Sequence, residues 1–155
     1  MLIVGCGCRG RALAGELVAA GHAVRGTSRD PTRLADIEAA GAEGVLADPG
    51  RLATLMPHIE GVGVICWLLG SASGEHEELA ALHGSRLRSL LERLVDAPVR
   101  GFVYEASGSV DGELLAAGAA ALRSFNETFH MPVELVGADQ DGWTAAVRRV
   151  LGEDA

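Results

Sequence analysis

The chain has 155 residues, 48% of them hydrophobic with few aromatics, and 13 basic against 21 acidic side chains give it a formal net charge of −8. That balance argues against a nucleic acid or an anionic membrane as partner, because both need a basic face, and no apolar run reaches the ~18 residues of a membrane span. The opening lacks the basic start and long apolar stretch of a signal peptide, so a cytoplasmic chain is expected, of a length suited to one domain, 1–155, with a proper core.

Leu2-Ile3-Val4 reads as a short strand that runs into Gly5-Cys6-Gly7-Cys8-Arg9-Gly10, and Arg11–Ala20 has the apolar spacing of a helix. This is G-x-G-x-x-G between a strand and a helix, the context in which its physics operates. The first glycine allows a tight turn, the second lets a pyrophosphate approach the backbone, and the third lets helix and strand pack closely. The helix start offers unpaired N–H groups and a positive dipole end to phosphates. Gly5, Gly7, Cys8, Arg9 and Gly10 are therefore candidates to hold the pyrophosphate of a dinucleotide. His22 follows Gly21 at the helix end, where a cation meets the dipole favourably.

Ala23–Thr27 is the second strand, and Pro31-Thr32 opens a helix through about Ala39. The residues past this strand normally settle the adenosine ribose: a carboxylate binds the 2′-hydroxyl, an arginine accommodates a 2′-phosphate. Here they are Thr27, Ser28 and Arg29, two hydroxyls and a fixed cation. A guanidinium grips phosphate bidentately, so Ser28 and Arg29 favour NADP. Asp30, one residue on, keeps NAD as the alternative, and Ser28 or Asp30 also suits a helix cap.

Gly44–Ala47 is the third strand, and Asp48 at its end either flanks the adenine or caps the short helix Arg51–Met56, which Pro57 stops. Gly63–Leu69 is a strongly apolar fourth strand, after which Leu68, Leu69 and Gly70 should line the nicotinamide side, since open parallel sheets bind ligands outside the carboxyl ends of their strands. Glu75–Leu94 reads as one long helix with an acidic first turn around His76 and a wide leucine stripe, part of it for the sheet and the rest for a second copy. Gly101–Glu105 is the fifth strand, Glu113–Phe129 a helix, Val133–Val136 the sixth strand, and Trp143–Leu151 the last helix. Strands alternating with helices imply a parallel, doubly wound α/β sheet of the Rossmann type, with helices on both faces and no separate substrate domain. A homodimer through helices 75–94 and 113–129 is an expectation of the same pattern.

Several of these segments resemble the extended and atypical short-chain dehydrogenase/reductases, the group of nucleotide-sugar epimerases and their small relatives. The resemblance runs through Gly5-Cys6-Gly7-x-x-Gly10-Arg11-x-Leu13-Ala14, Gly21-His22-x-Val24-x-Gly26-Thr27-x-Arg29-x-Pro31, Ile65–Gly70, Val99–Val110 and Phe129–Val136. It implies NADP or NAD as cofactor and a catalytic set of a serine, a tyrosine phenolate and a lysine four residues after it, which lowers the phenol's pKa.

Ser107 resembles that serine. The tyrosine and lysine should fall near the start of the next helix, where about Asp111 and Leu115 stand. All 13 basic residues are arginine; the sequence has no lysine, and its one tyrosine, Tyr104, lies inside the fifth strand. Arginine does not replace that lysine, because its charge sits on a rigid planar fork. The resemblance also implies a C-terminal substrate-binding part, and no counterpart to it is expected within these 155 residues. The resemblance therefore carries cofactor binding further than catalysis, and a redox-sensing or cofactor-binding module is the leading expectation. The rival is an oxidoreductase or epimerase with a rebuilt site around Glu105 and Ser107, which period-two alternation would put on one side of the fifth strand.

Trp67 suits either a cover over the nicotinamide or the core. Trp143 is expected to pack the last helix onto the sheet. Cys6, Cys8 and Cys66 are too few for a disulfide framework or a zinc site, so no metal is expected; Cys8, at the helix start, is the oxidant-sensitive candidate.

Overall fold

In the computed structural model, which describes residues 1–137 and 141–153, six strands form one sheet. They are β1 (Leu2–Val4), β2 (Arg25–Ser28), β3 (Glu43–Leu46), β4 (Val64–Trp67), β5 (Gly101–Glu105) and β6 (Val133–Val136). The order is β3-β2-β1-β4-β5-β6 and all the pairings are parallel, with Leu2 beside both Arg25 and Ile65 and Trp67 beside Tyr104. This is the doubly wound order 3-2-1-4-5-6, in which the direction of winding, not of the strands, reverses between β1 and β4 and leaves a crevice there.

The central strands read as unbroken apolar runs because both of their faces are covered. Every residue of β1, β4 and β5 is buried. Alternation then divides the core. Ile3, Val64, Cys66 and Val103 face α1 (Cys8–Ala19), α2 (Leu34–Ala39) and α7 (Asp141–Leu151). Leu2, Val4, Ile65, Trp67, Phe102 and Tyr104 face the other layer. That layer comprises α3 (Leu52–Leu55), α4 (His76–Leu82), α5 (Ser85–Leu94) and α6 (Gly112–Phe129). Trp67 is fully buried against Phe102, with ring centroids 6.3 Å apart, so it belongs to the core and covers no ligand. Trp143 packs α7 onto the sheet as expected.

Beyond shifts of one or two residues at the ends of other elements, three differences from the sequence reading bear on the site and its flanks. The first helix begins at Cys8 rather than Arg11, because Gly7 is its extended N-cap and Arg11 N–H already closes onto the Gly7 carbonyl at 2.8 Å. The glycine loop's last three residues thus form the first helical turn. The second strand is Arg25–Ser28, held in register by Arg25 N–H on the Met1 carbonyl and by the Arg25–Glu43 pairing.

The third difference is larger: the long helix expected over 75–94 is two helices with a break at His83-Gly84. The His83 ring turns inward to Tyr104 and the Leu69 carbonyl. At Gly84 a Cβ would stand 2.7 Å from the Ala80 carbonyl oxygen. Past the break, α5 buries Leu87, Leu90, Leu91 and Leu94 against its own sheet. The stripe expected to leave a surplus for a second copy is spent inside the chain, and Val95 and Phe129 are the large apolar side chains left exposed on this side.

Candidate functional site

The carboxyl ends of β1–β4 open onto a cavity of about 510 Å³. Its floor is the glycine loop, and each glycine has a separate reason to be there. Gly5 has φ +84°, a conformation side chains resist, and a Cβ on it would stand 2.5 Å from the Leu68 carbonyl oxygen. A Cβ on Gly7 would meet no protein atom within 4 Å and would project into the cavity. Gly10, in the first turn of α1, lies where a Cβ would crowd the Gly5 carbonyl at 3.2 Å and Ile3 at 3.4 Å. These are the tight-turn, close-approach and helix–strand packing roles that a dinucleotide loop requires.

The loop is held from below. Cys6 N–H donates to the Thr27 carbonyl at 3.0 Å and Gly5 N–H to Thr27 Oγ1 at 3.2 Å. Thr27, 2% exposed at the cavity wall, thus ties the loop to β2. The start of α1 has no side-chain cap and no acidic residue in its first turn. Its N–H groups are left to whatever lies in the cavity, and the helix dipole favours an anion there. The residues present thus fit a pyrophosphate.

Charge supports the same fit. Four arginines line the cavity, Arg9, Arg11, Arg29 and Arg33, and its described lining contains no carboxylate. Arg29 and Arg33 are exposed and form no salt bridge among the described residues. Asp30, the residue that kept NAD open, turns away to accept from Thr32 N–H and Oγ1 at 2.9 and 2.7 Å. Those bonds, then the nearby Arg33, hold its carboxyl below the usual range. Ser28 lines the cavity, and its Oγ accepts from Asp30 N–H at 3.1 Å. Arg11 and Arg33 were not singled out for this role from the sequence; Arg33 carried a signal, one helical turn after Arg29.

Leu68 and Leu69 line the cavity, with Ala47 and Pro49 at the end of β3. The Asp48 carboxylate is engaged elsewhere, accepting from Gly50 N–H at 2.9 Å in the turn before α3. Cys8 is exposed at the cavity wall, whereas Cys6 and Cys66 are buried, and burial pushes their thiols up to about 11 and about 12.

On the β5 side the arrangement closes. Glu105 is fully buried; its Oε1 accepts from Gly70 N–H at 2.7 Å and its Oε2 lies 2.8 Å from Arg9 Nη1. Burial raises its pKa, against the pull of Arg9. Arg9 Nη2 also reaches Ser71 Oγ at 3.2 Å. Gly70, expected beside the nicotinamide, has its N–H on Glu105 and its carbonyl on Val110 N–H. Since β5 stops at Glu105, Ser107 lies in the following loop, where alternation no longer constrains it, and its Oγ is enclosed without a hydrogen-bond partner. Neither Glu105 nor Ser107 lines the cavity.

Tyr104, the one tyrosine, is fully buried, and its hydroxyl lies 2.6 Å from His83 Nδ1. Because His83 Nε2 is 2.9 Å from the Leu69 carbonyl oxygen, which can only accept, Nε2 carries the proton and Nδ1 accepts from the tyrosine hydroxyl. Burial holds His83 neutral and pushes the Tyr104 phenol up. Gly118 makes room for this hydroxyl: a Cβ there would stand in it. Asp111 caps α6 through Glu113 N–H at 2.9 Å, and Leu115 is buried. The three-residue catalytic set implied by the resemblance is not assembled from these residues.

Residues 5–132 match a family model described as NAD(P)H-binding. No curated protein matches the sequence. Among solved structures, UDP-glucuronic acid 4-epimerase from Bacillus cereus in complex with NAD superposes with a TM-score of 0.70 at 16% identity, over 86% of this chain and 54% of its own. A mutated uronate dehydrogenase gives 0.75 at 15%, over 99% and 70%. The triphenylmethane reductase of Citrobacter sp. complexed with NADP(H) gives 0.61 at 18%, over 86% and 47%. The chain spans about half the length of the first of these relatives, 54% for the epimerase.

Proposed function

The chain belongs to the NAD(P)H-binding family, and from that premise we propose that it binds NADP(H) in preference to NAD(H), as a redox-sensing or cofactor-binding module without the family's catalysis. The observation that carries the preference is Arg29, without a salt bridge among the described residues, at the β2 end of a cavity whose described lining holds four arginines and no carboxylate. A 2′-phosphate meets Arg29 and Ser28 there, with Arg33 beside them, and the guanidinium fork suits its oxygens. Gly5, Gly7, Cys8 and Gly10 take the pyrophosphate on backbone N–H groups and open space. Leu68 and Leu69 flank the far side. The nicotinamide, when bound, supplies a hydride donor or acceptor. What is absent is a partner for it: the sequence has no lysine, and Tyr104 is sealed against His83.

A second reading, an oxidoreductase or epimerase working through Ser107 and Glu105, draws on the partnerless hydroxyl of Ser107. Against it, both Glu105 oxygens are engaged inside the protein. A homodimer through helices 75–94 and 113–129 would draw its exposed apolar anchors from Val95 and Phe129.

Calorimetric titration with NADPH and NADH, repeated on Arg29→Ala, tests the proposal. Micromolar NADPH binding that weakens at least tenfold in the variant, with NADH nearly unchanged, is the expected result. Equal losses for both would assign Arg29 a general electrostatic role, and no binding to either would end the cofactor reading. Turnover of any carbonyl substrate that Glu105→Gln abolishes would restore the enzyme reading.

A further inference from the structure

The loops after β4 and β5, between which a dinucleotide's reactive end would enter, are fastened together by three backbone N–H groups, one on a backbone carbonyl and two on side chains. Gly70 N–H donates to Glu105 Oε1 at 2.7 Å, Val110 N–H to the Gly70 carbonyl at 2.9 Å, and Ser109 N–H to Ser71 Oγ at 3.2 Å. The contact leaves no room for a side chain on either strand of it. A Cβ on Gly70 would stand 2.2 Å from the Ser107 carbonyl oxygen, and a Cβ on Gly108 2.1 Å from the Gly70 carbonyl oxygen. Arg9 then crosses the mouth of this seam, its guanidinium between Glu105 Oε2 at 2.8 Å and Ser71 Oγ at 3.2 Å.

The clasp is costly to open. Glu105 is 0% exposed, and separating a buried carboxylate from its guanidinium leaves an uncompensated charge in the interior. The cavity accordingly runs from Arg29 and Arg33 across the glycine loop to Ser71–Ser73 and Leu82, along α4, and includes no residue of β5 or of the loop after it. Of the four arginines that line the cavity, Arg29 and Arg33 have no salt bridge to a carboxylate among the described residues, and both stand at the end that faces the adenosine in the reading above. At the β4–β5 end the Gly70 backbone and the Arg9 guanidinium are taken up by Glu105, Val110 and Ser71, and the Ser107 hydroxyl is enclosed away from the cavity.

We infer that the site recognises the adenosine-diphosphate half of the dinucleotide alone, so that a nucleotide lacking nicotinamide binds as well as the intact cofactor. The ligand class is an adenosine 5′-diphosphoribose, 2′-phosphorylated if the preference proposed above holds. This rests on the proposed binding site but goes beyond it, because the nicotinamide ring contributes nothing to affinity and stays outside the β4–β5 seam. A protein built this way reports on the total pool of such nucleotides and not on its oxidised-to-reduced ratio, which selects the cofactor-binding module over the redox sensor of the two offered above.

The test compares NADPH, NADP⁺ and 2′-phospho-adenosine diphosphoribose by calorimetry, with NADH and adenosine diphosphoribose as the second pair. Hydrogen exchange at the Gly70, Ser109 and Val110 amides is followed in each complex. Affinities within fivefold across each set, with the three amides equally protected throughout, are expected. A dinucleotide more than fivefold tighter than its diphosphoribose, or amides that lose protection when it binds, would overturn the inference and leave the cofactor site standing. Failure of all five compounds would remove both readings together. Substituting Gly108 by alanine gives an independent check: forcing the seam apart should raise amide exchange there and separate the affinities of NADPH and its diphosphoribose.

Discussion

At the scale of single residues, the site divides into groups that sequence spacing exposes and groups that only the folded chain brings together. The three glycines and Arg29 belong to the first kind, because their roles follow from position after a strand. His83 and Tyr104 belong to the second: they are 21 residues apart, and nothing in either neighbourhood marks a pair. Their meeting predicts a pH dependence. His83 is held neutral by burial, so its folded pKa lies below the ordinary value of 6.5. A depressed pKa contributes stability above the unfolded value, and that contribution is lost as pH falls through the folded one. Losing its two buried hydrogen bonds should cost about 1–3 kcal/mol at pH 7.5. The melting-temperature gap between the wild type and His83→Gln should therefore be widest near pH 7.5 and shrink steadily below about 6.5. A gap independent of pH between 5 and 8 would mean that the buried neutral imidazole is not the source of the stability.

At the scale of elements, alternating runs of strand and helix made the parallel, doubly wound sheet legible, because βαβ connections leave few other arrangements. Residues 75–94 were less so. Leucines at helical spacing continue through His83-Gly84, and periodicity cannot register that a histidine ring has found partners on β5 and at Leu69. The two readings of this segment predict opposite signs for one substitution. In an uninterrupted helix, Gly84→Ala would gain about 0.5–1 kcal/mol, since glycine is the poorer helix former. In the broken helix the new Cβ stands 2.7 Å from the Ala80 carbonyl oxygen, where backbone must shift. A loss of about 1–3 kcal/mol in urea unfolding is expected, the usual range for overpacking. A stabilised variant would restore the single helix. The same break turns His83 inward and leaves α5 to bury its leucines, which removes the surplus apolar face that made a dimer attractive from the sequence.

At the scale of the whole molecule, the net charge of −8 and the arginines of the cavity pull in opposite directions on an anionic ligand. Composition reported only the sum, which pointed away from nucleic acid while hiding a local concentration of positive charge. The sum acts over tens of ångströms and is screened to about 10 Å at 0.1 M salt, whereas contacts within the cavity survive further. A cleft lined by one sign of charge focuses its field locally even when the surrounding molecule carries the other sign. Two consequences separate by rate. Repulsion from the molecule as a whole slows encounter at low ionic strength, so association should quicken between 10 and 50 mM salt. Above that, screening of Arg29 and Arg33, both exposed, should speed dissociation and weaken NADPH binding roughly three- to tenfold by 500 mM, since exposed charge contacts contribute on the order of 0.2–1 kcal/mol each. Stopped-flow fluorescence of NADPH across this salt series measures both rates. An affinity that stays flat to 500 mM would mean the arginines do not engage the phosphates, and the ligand would then be held by the glycine loop's backbone alone.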